Sequence, residues 1–228
     1  MNRLLTVTLA TFMAANVATV KAQVPGSMGA EALDASTGEQ RNVILIIGDG
    51  MDEHQITIAR NYLTGATGRL TLDRMPLRGA SQILTVENKV NGNYVYVADS
   101  ANTATSMATG VVTSRGRLST TPGSDEDIPT IAELANASGF KTGIVSTASV
   151  TDATPAAFAA HISYRLCENP DIVEKVEYKG IELGGCPQDA IKQGGPGAVS
   201  EQLANSRLDV ILGGGSKHFA VNAESRDI

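Results

Sequence analysis

Residues 43–47 read Val-Ile-Leu-Ile-Ile, and Gly-Asp-Gly follows directly. Such a run has no polar side to turn to water. As a strand it needs cover on both faces, the condition of a strand inside a parallel sheet. Parallel neighbours need crossover connections, usually helices, so the run points to an α/β fold. Further strands are predicted over 79–85, 93–97, 141–147 and 209–212. Between them lie helical patterns over 55–64, over 100–110, from near Asp127 and Pro129 to Gly139, over 156–161 and over 198–206. This alternation predicts one doubly wound, mostly parallel sheet with helices on both faces. Residues 87–92 read as a loop, 110–127 as a surface loop rich in Ser, Thr and Gly, and 168–193 as an excursion from the sheet.

In open α/β sheets ligands gather at the carboxyl ends of the strands. The predicted ends deliver Asp49, then Asp99 and Ser100, then Asp152 and Thr154. Hard cations take oxygen donors of this kind. Residues 97–110 pass from β-formers into small residues, so Ser100 is expected to cap a helix that Gly110 ends in the left-handed conformation. The first N–H groups of such a helix attract phosphate. A serine hydroxyl there can attack a phosphoryl centre once its pKa is lowered, and Asp99 can help to hold a metal that lowers it. In the same way Thr154 is expected to cap a helix with Pro155 at its first position. Arg165, one turn beyond, is a planar cation suited to phosphate. Taken alone, Gly-Asp-Gly is an ordinary turn, Asp-Ser-Ala an ordinary cap and a lone arginine a surface ion pair. The glycines at 213–215 could cradle phosphate but read as a mobile turn. His161 reads as a satisfied structural histidine, and His54 and His218 as solvent-facing. No two histidines pair at metal-ligand spacing, so the nitrogen donors a zinc site favours are not visible.

The formal charge of −6 argues against nucleic acid as a partner, and none is expected. An acidic protein that handles phosphate needs bound cations to supply a positive field. Arg3, the apolar stretch over 4–20 and Val20-Lys21-Ala22 form a secretory signal pattern over 1–22. After cleavage no stable membrane insertion is expected, and the protein would be periplasmic or secreted. Residues 23–40 read as a flexible arm. In an exported chain the two cysteines, Cys167 and Cys186, favour a disulfide over two separate thiols.

Residues 42–51, Ala59-Arg60-Asn61-Tyr62, 97–110, 151–161 with Arg165 and Cys167, and 209–215 together resemble the alkaline phosphatases of the bacterial periplasmic type. The resemblance implies hydrolysis of phosphate monoesters through a phosphoserine, releasing an alcohol and inorganic phosphate. It makes Ser100 the nucleophile and Arg165 the grip on two phosphate oxygens, with Asp99 supporting Arg165. Asp49 would bridge a zinc and the magnesium, Thr154 would be a magnesium ligand, and Asp152 would order water around that magnesium. Two Zn2+ and one Mg2+ are implied as cofactors. Cys186 is implied as the mate of Cys167, His161 as a histidine that is no zinc ligand, and a homodimer as the assembly of the complete enzyme. Relatives are longer, with the remaining ligands in their C-terminal half. Residues 41–228 are therefore expected to be the N-terminal part of a single, truncated domain that alone lacks part of the metal site. The alternatives are an inactive fragment or a phosphodiesterase or sulfatase of the same superfamily.

Overall fold

The structure, a computed structural model, describes residues 42–219. The expected signal segment 1–22 and arm 23–40 lie outside the described residues. The chain divides into two units at Ile47 and Gly48. In the first, residues 42–47 form no strand, and Val43, Ile44 and Ile46 are all more than 80% exposed. The strand expected there, buried on both faces, is not formed. Aliphatic side chains make a strand only where a neighbouring ladder takes up the backbone N–H and C=O groups, and no ladder among the described residues includes this segment.

The second unit opens with a turn in which Met51 N donates to Gly48 O and Gly50 has a φ of +68°, presenting Asp49 at its tip. Helix α1 (Glu53–Thr64) follows, closed at its start by a capping box between Asp52 and Gln55. Strands β1 (Thr85–Val86) and β2 (Tyr94–Val95) pair antiparallel around the expected 87–92 loop; β1 starts later than predicted and β2 is shorter at both ends. Helix α2 (Ser100–Thr109) ends at Gly110 in the left-handed conformation, as expected. Helix α3 (Ile131–Ala137) is capped by Thr130, later than the Asp127–Pro129 start read from sequence. Strand β3 (Gly143–Ser149) leads to the short helix α4 (Ala153–Ala156). The 168–193 excursion is an antiparallel hairpin, β4 (Val176–Tyr178) with β5 (Ile181–Gly184). Helix α5 (Val199–Asn205) and strand β6 (Val210–Gly214) complete the order. β6 pairs parallel with β3, Ile144 opposite Ile211, and this pair is the parallel part of the α/β fold among the described residues.

The core consists mostly of small side chains. Ala101 and Ala104 of α2 join Ala153 and Ala156 of α4 and Ala157 just after it, all essentially inaccessible, with Leu118 and Ile162 beside them. Alanine faces let the two helices approach closely and bring their N-termini to one side of the unit. The 110–127 segment is not the surface loop its composition suggested: Thr113, Leu118, Ser119 and Thr120 are buried. Its hydroxyls are satisfied internally, with Thr113 Oγ1 donating to Thr120 O and Ser119 Oγ to Ala157 O, which makes burial affordable for polar residues. The three glycines after Leu212 are not a mobile turn: Gly213 and Gly214 continue β6. A Cβ on Gly213 would lie 2.6 Å from Val150 Cγ1, and one on Gly215 2.0 Å from Ser149 Oγ, so β6 packs against the end of β3 only without side chains there.

Candidate active site

Asp99, not Ser100, caps α2. Its backbone is extended and its carboxylate accepts from Asn102 N at 3.1 Å, while Asn102 reciprocates to Asp99 N. Ser100 is thus the first helical residue, at the end of the helix where the leading N–H groups lack intrahelical partners. Thr154 is likewise displaced from the capping position, because Asp152 caps α4 through Ala153 N. Pro155 falls inside the first turn, where a missing N–H costs nothing.

Arg165 joins these elements. Its Nη1 donates to Ser100 Oγ at 2.6 Å, and its Nη2 to Asp152 Oδ1 at 2.6 Å. Asp99 Oδ2, the expected support, stands 3.7 Å from Nη1, an ion pair beyond hydrogen-bond range. The close carboxylate is therefore Asp152. Asp99 is occupied by Asn102 N and by Gly116 N, which reaches it at 3.1–3.2 Å. Gly116 also accepts from Arg165 N through its carbonyl at 2.6 Å. Sequence reasoning missed Gly116, the residue that ties the start of α2 to the backbone of Arg165. Its φ of +82° is the reason for glycine there, but nothing in the local pattern distinguishes it from an ordinary loop glycine.

Thr154 Oγ1 donates to Asp49 Oδ2 at 2.9 Å. The structure thus links Asp49 to Thr154, and Asp152 to Arg165 and Ser100, as one constellation at the starts of α2 and α4. Asp49, Thr154 and Asp152 offer oxygen atoms alone, the donor chemistry of a hard divalent cation such as magnesium, and they fit part of its shell. The fit does not extend to zinc. Among the described residues no group of three or more His, Cys, Asp and Glu side chains converges. His54 is exposed beside Asp52, and His161 bonds Ser119 O and Glu133. His218, expected at the surface, is 8% exposed, with Nε2 3.0 Å from Glu168 and Nδ1 accepting from Asn169. Its ring is buried because both nitrogens find partners. The cysteines are joined to each other, Cys167 to Cys186, as expected.

An α/β unit that sets a serine at a helix start under an arginine, beside an oxygen-rich turn, has the makings of a phosphate-handling hydrolase. The comparisons with known proteins place it: residues 40–227 match the Alkaline phosphatase family, and the chain belongs to that family. It is 46% identical over 180 residues to the streptomycin-6-phosphate phosphatase of Streptomyces griseus, covering 79% of this chain and 37% of the relative. It is 45% identical over 184 residues to the alkaline phosphatase of Escherichia coli K12, covering 80% and 37%. Among solved structures, the cold-active alkaline phosphatase of a psychrophilic Shewanella aligns with a TM-score of 0.54 and 28% identity, over 76% of this chain and 36% of the other. The chain thus spans little more than a third of the length of these relatives. No helix among the described residues is long and apolar enough to cross a membrane.

Proposed function

We propose that the protein hydrolyses phosphate monoesters through a phosphoserine formed on Ser100. The observation that carries this reading is the 2.6 Å contact from Arg165 Nη1 to Ser100 Oγ at the first residue of α2. An arginine already seated on the serine oxygen can bind the phosphoryl oxygens where the new bond must form. Ser100 Oγ attacks phosphorus as its proton departs to solvent. The bond from phosphorus to the ester oxygen breaks, and the alcohol leaves with a proton from water. A water molecule then attacks the phosphoserine, the P–Oγ bond breaks, and Ser100 regains its proton as inorganic phosphate departs. Arg165 and the N–H groups at the start of α2 hold the non-bridging oxygens throughout, the positioning and charge stabilisation on which phosphoryl transfer depends. Asp152 fixes the guanidinium plane from the far side.

Asp49 and Thr154, with Asp152 nearby, would hold part of a magnesium ion's shell. Such an ion supplies positive charge against the phosphoryl oxygens. Two zinc ions complete the cofactor set of this reading, although the described residues do not gather donors for them. A phosphomonoester partner, export to the periplasm or medium, and assembly as a homodimer belong to the same proposal. The disulfide, at home in an oxidising compartment, supports export.

The test is turnover of 4-nitrophenyl phosphate with zinc and magnesium present, set against bis(4-nitrophenyl) phosphate and 4-nitrophenyl sulfate, with acid trapping of labelled phosphoserine. Preference for the monoester and loss of trapped label in Ser100→Ala are expected. A diester or sulfate preference, or undiminished turnover by Ser100→Ala, would overturn the reading.

A further inference from the structure

The buried His218 has no part in the proposed reaction, yet its ring closes a run of hydrogen bonds that ends beside Asp152. Nδ2 of the Asn169 amide, a donor only, lies 3.1 Å from Nδ1. Nε2 therefore carries the ring's proton and directs it to Glu168 Oε2 at 3.0 Å. Thr151 Oγ1 donates to the same carboxylate oxygen at 2.5 Å. That bond uses the one hydroxyl hydrogen of Thr151, so Ser149 Oγ donates to Thr151 Oγ1, at 2.7 Å. The carboxylate of Glu168 is thus the acceptor on which the end of β3 and the turn after β6 both converge.

Two bonds tie the same two stretches of chain together. One runs from Arg165 to Asp152, the other from Thr151 to Glu168. Thr151 directly precedes Asp152, and Glu168 follows Arg165 by three residues, around a turn in which Cys167 N donates to Tyr164 O. The two bonds differ in exposure. The Asp152 side chain is 50% exposed, and an ion pair so open to water holds its members weakly. Thr151 is inaccessible, and its bond to a carboxylate is of the strong, charge-assisted kind. Asp152 N donates to Ser149 O at 3.1 Å, so the backbone of the aspartate is set by the same turn. The buried bond fixes the spacing of the two stretches, and the exposed pair then presents the guanidinium to Ser100.

We propose that Thr151 and Glu168, anchored by His218, form a latch that holds Arg165 on Ser100 in the geometry that binds phosphate. The inference rests on the proposed phosphomonoesterase reading. The three are positioning residues that act through Asp152 and Arg165 and do not touch the reacting atoms.

The test observes the arginine itself. In protein labelled with 13C,15N-arginine, the Arg165 guanidinium signals are assigned by their absence from Arg165→Lys, and affinity for inorganic phosphate is measured calorimetrically. In the parent, the bonds to Ser100 and Asp152 should slow rotation of the guanidinium and keep its two Nη signals distinct. Thr151→Val keeps the side chain's shape and removes the donor. It should merge the two signals and weaken phosphate binding about tenfold, the scale of one lost hydrogen bond to a charged group. His218→Ala should move both readouts in the same direction. Glu168→Gln, whose amide oxygen can still accept from Thr151 and His218, should keep distinct signals and an affinity within about twofold of the parent. Distinct signals with parental affinity in either Thr151→Val or His218→Ala would overturn the latch, as would a loss in Glu168→Gln as large as that in Thr151→Val. A parent that binds no phosphate, but whose Nη signals merge in Thr151→Val, would sink the phosphomonoesterase reading and leave the latch standing.

Discussion

A guanidinium carries five N–H donors in one plane, and Arg165 directs two of its nitrogens to Ser100 and Asp152. Neither contact survives truncation. Arg165→Ala should therefore lower kcat/KM for an aryl phosphate about 100-fold and weaken competitive inhibition by inorganic phosphate, both read from steady-state kinetics. Inhibition by phosphate as strong as in the parent would show that the arginine does not bind the anion. A second residue pair sets a pH dependence away from this centre. Burial opposes protonation of His161, but Glu133 at 2.9 Å and the Ser119 carbonyl outweigh it and hold the ring's pKa above its ordinary 6.5. For Glu133, partial burial works upward, yet His161 and Thr130 N keep the carboxyl below its ordinary 4.5. The His161 contribution is complete below pH 6.5 and fades as pH rises through the raised value, while the Glu133 contribution is present above pH 4.5 and fades as pH falls through the lowered one. Glu133→Gln, which keeps the geometry of the cap at Thr130, should thus destabilise by up to about 1 kcal/mol near pH 5.5 and progressively less above neutrality. Thermal melts across that range check it, and a difference that grows toward alkaline pH would contradict the pairing. From sequence, the positions of Ser100 and Thr154 at helix starts and of Asp49 in a turn were legible, because cap and turn residues mark such places locally. The grip of Asp152 on Arg165 was not, because two aspartates equally able to pair with an arginine are distinguished only by where the backbone sets them.

Element starts show the same limit more sharply. Both Asp99 and Ser100 can cap a helix, as can Asp152 and Thr154, and in each case the aspartate holds the position while the hydroxyl residue enters the helix. A shift of one or two residues leaves the helix in place but decides what the hydroxyl does: a capping Ser100 would spend its oxygen on the backbone, whereas the first helical residue has it free for Arg165. The cap itself can be tested. Asp99→Ala removes the acceptor for both Asn102 N and Gly116 N and should cost about 1–2 kcal/mol. Asp99→Asn keeps an oxygen that can accept from both and should recover most of it. Urea titrations of the three proteins measure this, and equal losses in both variants would mean that charge rather than capping geometry matters. The 110–127 segment was misread for a related reason. Serine and threonine signal loops when water satisfies them, but here the backbone of the same unit does so, and composition cannot register a partner such as Ala157 O, distant in sequence from Ser119.

Over the whole described chain the alternation of strands and helices was legible, but the extent of burial was not. Val145 and Leu212, central in β3 and β6, are exposed, as are the aliphatics at 43–46, because cover is a property of neighbouring layers and not of the run itself. What is buried is small: apart from Leu118, Ile162, Leu203 and Val199, the inaccessible apolar side chains are mainly alanines and the two cysteines. Each alanine contributes little transfer free energy, so a covalent tie carries more weight in such a core. The Cys167–Cys186 bond joins two inaccessible positions. Cys167 O accepts from Val199 N at the start of α5, and Cys186 N donates to Val173 O ahead of the β4–β5 hairpin. The bond therefore fastens the hairpin excursion to the body that carries Arg165. Closing a loop of about 20 residues is worth roughly 3 kcal/mol in the chain-entropy account. Replacing both cysteines by alanine should lower unfolding free energy by about that amount in urea titrations, and should open the 168–193 segment to limited proteolysis before the rest of the unit. Brief reductant treatment of the folded parent should have little effect, because neither sulfur is accessible. Cleavage that begins elsewhere in the double variant, or a stability matching the parent's, would show that packing alone holds the excursion in place.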